Sequence, residues 1–88
     1  MQKQLDVNWK IRMLFHKSQL EKVKKKTGAH HVIHVHNFRD KENNKINCLY
    51  IKGERGEAKF GGLKPFNDWT EADYQNASKS YINEFEGS

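Results

Sequence analysis

Apolar and polar residues alternate at the start of the chain. Leu5, Val7, Trp9, Ile11, Met13 and Phe15 are apolar, and Asp6, Asn8, Lys10 and Arg12 separate them. A two-residue period over residues 5–15 predicts a half-buried strand, because a helix would scatter these groups around its axis. Leu14 breaks the polar row near the strand end. Ser18 and Glu21 have the spacing of a capping box, and Leu20 and Val23 lie three apart. A short helix is therefore predicted over residues 18–26, stopped at Thr27-Gly28.

A second strand is predicted over residues 30–38 and a third over residues 46–52, forming a hairpin across a polar turn that contains Asn43-Asn44. Gly53-Glu54-Arg55-Gly56 reads as another turn, and Glu57 to Phe60 as a short fourth strand released at Gly61-Gly62. Beyond Pro65, Asp68 and Glu71 repeat the capping-box spacing. Trp69, Ala72, Ala77, Tyr81, Ile82 and Phe85 follow at near-helical intervals, predicting a helix over residues 69–85 that covers one sheet face. The order is β-α-β-β-(β)-α. The predicted fold is a single compact α+β domain over residues 1–88: a small antiparallel sheet of three or four strands, a short helix after the first strand and a long C-terminal helix. In the second strand, Ile33 and Val35 are expected on the core side, so His34 and His36 point away from it.

Apolar residues make up 35% of the chain and charged residues 31%, a polar balance that would suit a disordered segment. Aromatic residues at 11% tip the reading to a folded domain with a polar surface. Cys48 is the only cysteine, which excludes an intrachain disulfide. No stretch approaches a membrane span, and no apolar run ahead of a small-residue cleavage site opens the chain. The expected setting is the cytoplasm, with no membrane partner.

Charge is distributed unevenly. Residues 1–26 carry a net +6, residues 27–64 a net +3 and residues 65–88 a net −4. Such a division favours a polyanion or an acidic protein as partner. With the first two strands as neighbours, Lys10, Arg12, His34, His36 and Phe38 share one sheet face, where cations meet phosphates and Phe38 stacks a base. Lys22, Lys24, Lys25 and Lys26 on the short helix, Arg39 beside the hairpin turn and Arg55 at a turn tip extend the basic surface.

The expected function is a small basic nucleic-acid-binding module, with RNA or single-stranded nucleic acid ahead of duplex DNA. One alternative is an inhibitory or adaptor protein on an acidic surface of a larger complex, and the two-signed surface also allows a homodimer. A second alternative is a metal-independent ribonuclease in which His34 and His36 act as the acid–base pair beside Lys10, Arg12 or Arg39. No cofactor is expected: the glycine turns match no phosphate-binding fingerprint, and neither Cys-x-x-Cys nor His-Glu-x-x-His occurs. The final helix opens Asp68-Trp69-Thr70-Glu71 rather than on a basic cluster, so the pattern of the double-stranded-RNA module is absent and that helix is not expected on nucleic acid.

Overall fold

The computed structural model describes residues 2–85, with side chains from Trp9 onward. Side-chain expectations for Leu5, Asp6, Val7 and Asn8 lie outside the described residues. Helix α1 (Gln2–Thr27) is followed by β1 (His31–Arg39), β2 (Lys45–Gly53), β3 (Gly56–Gly62), a single 3-10 turn (Phe66–Asp68) and α2 (Glu71–Phe85). The order is α-β-β-β-α. The class is α+β with a three-stranded antiparallel sheet in the order β1-β2-β3. Among the described residues no helix is long and apolar enough to cross a membrane.

The predicted first strand is a correction: residues 5–15 continue as helix into residues 18–26. Two facts outweigh the alternation. From Gln2 to Thr27 there is neither Gly nor Pro, and Lys, Gln, Leu, Glu, Met and Arg all favour helix. The segment around Val23 is also anchored on the sheet, and extending an anchored helix avoids the cost of a new nucleus. Alternate residues then fall on two helix faces. Trp9 and Met13 share the stripe of His16, Leu20 and Val23, whereas Ile11 and Leu14 point outward, 59% and 66% exposed. Ser18 is interior to α1, and its Oγ donates to the Phe15 carbonyl at 2.7 Å instead of capping. Gly28, with φ of 72°, ends the helix, and its N–H returns to the Lys24 carbonyl at 2.8 Å.

Register decides which sheet face is covered. Val32 opposes Ile51, which opposes Ala58, and His34 opposes Leu49, which opposes Phe60. Both helices cover this face, where Val23 of α1 and Tyr74, Ala77 and Tyr81 of α2 pack with Val32, Leu49 and Ile51. The expected core side of β1 is thus inverted. Ile33 is 51% exposed on the open face, and His34 lies half-buried under the helices. Between Val35 and Phe38, β1 advances one residue more than β2, which pairs them with Cys48 and Ile46. This bulge breaks the expected alignment of His34, His36 and Phe38, because it sets Phe38 on the open face beneath the Lys59 ammonium, 5.0 Å from its ring centre.

The C-terminal helix appears where expected, with its cap two residues later. Thr70 and Asp73 form the reciprocal box: the Thr70 N–H donates to Asp73 Oδ2 at 2.7 Å, and the Asp73 N–H donates to Thr70 Oγ1 at 3.4 Å. Asp68 belongs to the 3-10 turn, whose Phe66, with the following Trp69, plugs the core. Glu71 instead reaches α1, accepting from Lys22 at 2.7 Å and Gln19 at 3.3 Å. Gly61 is required by close approach, since a Cβ there would run into the backbone of Asn47 and Cys48.

The face assignment predicts a contrast within one sheet. Leu49→Ala should destabilise the fold by about 2–5 kcal/mol, and Ile33→Ala by less than about 1 kcal/mol, in urea unfolding. Equal costs would contradict the covered and open faces.

Candidate nucleic-acid interface and histidine cluster

Three elements meet at the hydroxyl of Tyr74, a fully buried residue of α2. His16 Nδ1 from α1 lies 2.6 Å from Tyr74 Oη, and His34 Nε2 from β1 lies 3.0 Å from it. A phenol has one proton to give and lone pairs to receive, so one imidazole accepts the O–H and the other donates its N–H. The helical periodicity of α1 sets His16 two turns below Val23 on the same face, and strand alternation sets His34 beside Val32. The His34 ring lies over Phe66 with centroids 4.0 Å apart, and His36 meets the edges of both at 6.0 and 5.0 Å.

Burial tunes the cluster toward neutrality. It pushes the His34 imidazolium down to about 4, with smaller contributions from His16 and His36. His16 is lowered for the same reason, with the Arg12 guanidinium adding to the effect. The Tyr74 phenol is pushed up to about 12 by burial and by the Asp73 carboxylate. Two neutral imidazoles and a protonated phenol satisfy one another without a buried charge.

Beside the cluster is a cleft of about 210 Å³ between α1 and β1, walled by Trp9, Arg12, His16, Lys17, His36 and Asn67. Lys17 and Leu20 also line a second groove, of about 550 Å³, which runs on past Leu14, Lys24 and Val32. The two share Lys17 and Leu20, so the channel along α1 is this pair of adjoining hollows. From Arg12 to Lys24 the helix rises about 18 Å, and Arg12, Lys17 and Lys24 supply three cations against Glu21. Lys10 lies two turns from Lys17 on the same flank. Trp9 is 64% exposed at the mouth.

Of the residues anticipated for nucleic-acid contact, the channel gathers Arg12, Lys24, His34 and His36. Lys10 and Arg12 reach this region from a helix, correcting their expected place on a sheet face. Lys22 is tied to Glu71 on the opposite flank, and Lys25 and Lys26 are exposed in the last turn of α1. Arg39 donates to the Asn43 carbonyl at 3.2 Å, and Arg55 sits at the β2–β3 turn. Phe38 lies on the other sheet face, as described. His16, Lys17, Trp9, Phe66 and Tyr74 complete the site and were not anticipated. A helical reading of residues 9–23 would have placed Trp9, Met13, His16, Leu20 and Val23 in one stripe.

A larger groove of about 570 Å³ between β3 and α2 contains Trp69 and Ala77 but no histidine, and Lys64 is paired with Asp73 there at 2.8 Å. Cys48 is buried on the open sheet face, its thiol raised by burial against the opposing charge of Lys59. Among the described residues no three His, Cys, Asp or Glu side chains form a group that could hold a metal ion.

The cluster predicts an acid-side loss of stability. His34 is depressed from 6.5 to about 4, so between those values the unfolded chain binds the proton and the native chain does not. Its contribution is complete above about pH 6.5 and falls progressively toward pH 4. The urea midpoint should therefore drop across this interval, and His34→Phe should flatten the drop. A slope unchanged in that variant would remove His34 as its source. No protein-family model, curated protein or solved structure matches this chain.

Proposed function

We propose that the protein binds single-stranded nucleic acid, RNA foremost, along the channel between α1 and β1. The observation that carries this reading is the convergence of Arg12, Lys17 and Lys24 on one channel whose mouth holds the exposed ring of Trp9. A cationic track follows a phosphate backbone, and an exposed indole offers a stacking platform for any base. The His36 ring and the Asn67 amide at the cleft supply polar groups for a base edge or a ribose hydroxyl. At the start of α2, Glu71 is paired with Lys22 and Asp73 with Lys64, and neither carboxylate lines the channel.

A second reading rests on the outward side of α1, which meets the channel at Leu14. Ile11 and Leu14 are largely exposed on the outward face of α1, close in sequence to Lys10 and Lys17. Exposed apolar residues on a basic helix suit an acidic protein surface with an apolar centre, as an adaptor or inhibitor would need.

Fluorescence anisotropy with labelled single-stranded RNA at two salt concentrations tests the first reading. Binding should weaken steeply with salt, and Arg12→Ala combined with Lys17→Ala should lower the log–log salt slope by about 1–2. Trp9→Ala should weaken binding by about 1–3 kcal/mol, whereas Ile11→Ser should leave it unchanged. Absence of association at low salt would reject the channel as a nucleic-acid site and leave the outward face of α1 as the point of contact.

A further inference from the structure

We infer that the same cleft cleaves RNA without a metal ion, with His16 as general base, His36 as general acid, and Arg12 and Lys17 holding the reacting phosphate. The inference rests on the RNA-binding reading above and adds a reaction to it. The arrangement differs from a pairing of His34 with His36. His34 lies under the helices, its ring over Phe66 and its Nε2 on the Tyr74 hydroxyl, so it is a positioning residue.

His16 is held differently. Both histidines line the cleft; His16, whose Nδ1 is fixed by Tyr74, keeps Nε2 as the nitrogen available to a substrate. When His16 Nδ1–H donates to the phenol oxygen and the phenol donates to His34 Nε2, the His16 Nε2 lone pair is free. An imidazole oriented through Nδ1 and open at Nε2 is the arrangement that general-base catalysis requires. The groups facing His16 are Arg12 on its own helix, His34 from β1 and Tyr74 from α2, with Asp73 acting on the phenol. Burial, with Arg12 adding to it, lowers the His16 imidazolium and favours the unprotonated form a base must start from. His36 lines the same cleft, and the His34 ring lies 6.0 Å from the rings of both His16 and His36.

The reaction needs no co-reactant. The ribose 2′-hydroxyl gives its proton to His16 Nε2, and a lone pair of O2′ forms the new bond to the adjacent phosphorus. The P–O5′ bond breaks with its electron pair on O5′, which takes a proton from the His36 imidazolium. The products are a 2′,3′-cyclic phosphate and a free 5′-hydroxyl. Arg12 and Lys17 stabilise the charge that builds on the non-bridging oxygens. DNA, lacking the 2′-hydroxyl, binds in the channel without being cut.

The full-length chain should be incubated with end-labelled single-stranded RNA and with the matching DNA, both in EDTA, while binding to each is measured by anisotropy. The expected result is cleavage of RNA alone, to cyclic-phosphate ends. His16→Gln and His36→Gln should each lower kcat by about 100-fold or more, a loss far larger than any change in oligonucleotide affinity. His36 is exposed, so its variant keeps the test open should His16→Gln fail to fold. Tyr74→Phe should lower kcat more than it changes KM and displace the acid limb of the pH profile, a signature that loss of packing alone does not produce. RNA that is bound but left intact, cleavage that survives His36→Gln, or cleavage abolished by EDTA would overturn the inference while the binding reading stands. Failure to bind either oligonucleotide would overturn both.

Discussion

A buried phenol must be hydrogen-bonded, and in this protein the way Tyr74 meets that requirement ties the structure together. Its hydroxyl is the only polar atom of a side chain that is otherwise core, and leaving it unpaired would cost about 1–3 kcal/mol. The partners come from α1 and β1, so one hydroxyl of α2 joins three elements. Apolar packing between Val23, Val32, Leu49 and Ile51 is non-directional and tolerates some rotation of α1. Two directional bonds to one oxygen do not. The same contact therefore sets the orientation of α1 and fixes which of its side chains border the β1 edge.

The C-terminal half of the fold was legible in the sequence, because its signals are local and agree with one another. The hairpin strands, the Gly53–Gly56 turn and the last helix each combine periodicity with a turn residue or a cap. At residues 5–15 two levels conflict. Side-chain alternation describes a strand, and backbone propensity over a much longer window describes a helix. Propensity prevails because the helix is anchored at Val23, a tertiary fact that alternation cannot carry. The inverted face of β1 has a related origin. Val32 and His34 against Ile33 and Val35 differ little in hydrophobic signal once an imidazole can be neutral and hydrogen-bonded. The bulge after Val35 left no mark in composition, and it alone removed Phe38 from the histidine face.

The candidate site was legible as chemistry but not as geometry. Arg12, Lys24, His34 and His36 were recognisable as residue types suited to phosphate contact or proton transfer. Their grouping depended on α1 being one long helix beside β1. Once it is, the heptad separation of Lys10, Lys17 and Lys24 places three cations on one flank. Lys22 falls on the other flank and is consumed by Glu71. The charge pattern thus separates into a structural part, which docks α2 on α1, and a part left at the channel. Exposed pairs of the Lys22–Glu71 kind contribute little stability, and this one tethers the start of α2 to α1.

The cluster also shows why stability and chemistry share residues in so small a domain. A chain of this size buries only about 60–65% of its extended surface, so few side chains can be devoted to packing alone. Phe66 completes the core and stacks on His34, and Tyr74 fills the centre of the domain and holds His16. An apolar residue in place of His34 would remove the acid-labile contribution to folding and would also release Tyr74, and with it the orientation of His16. The histidines are better explained as a compromise than as a core preference. Leu or Phe would pack under the helices without any pH dependence, whereas imidazoles accept that dependence and hold a ring nitrogen at the edge of a cationic channel.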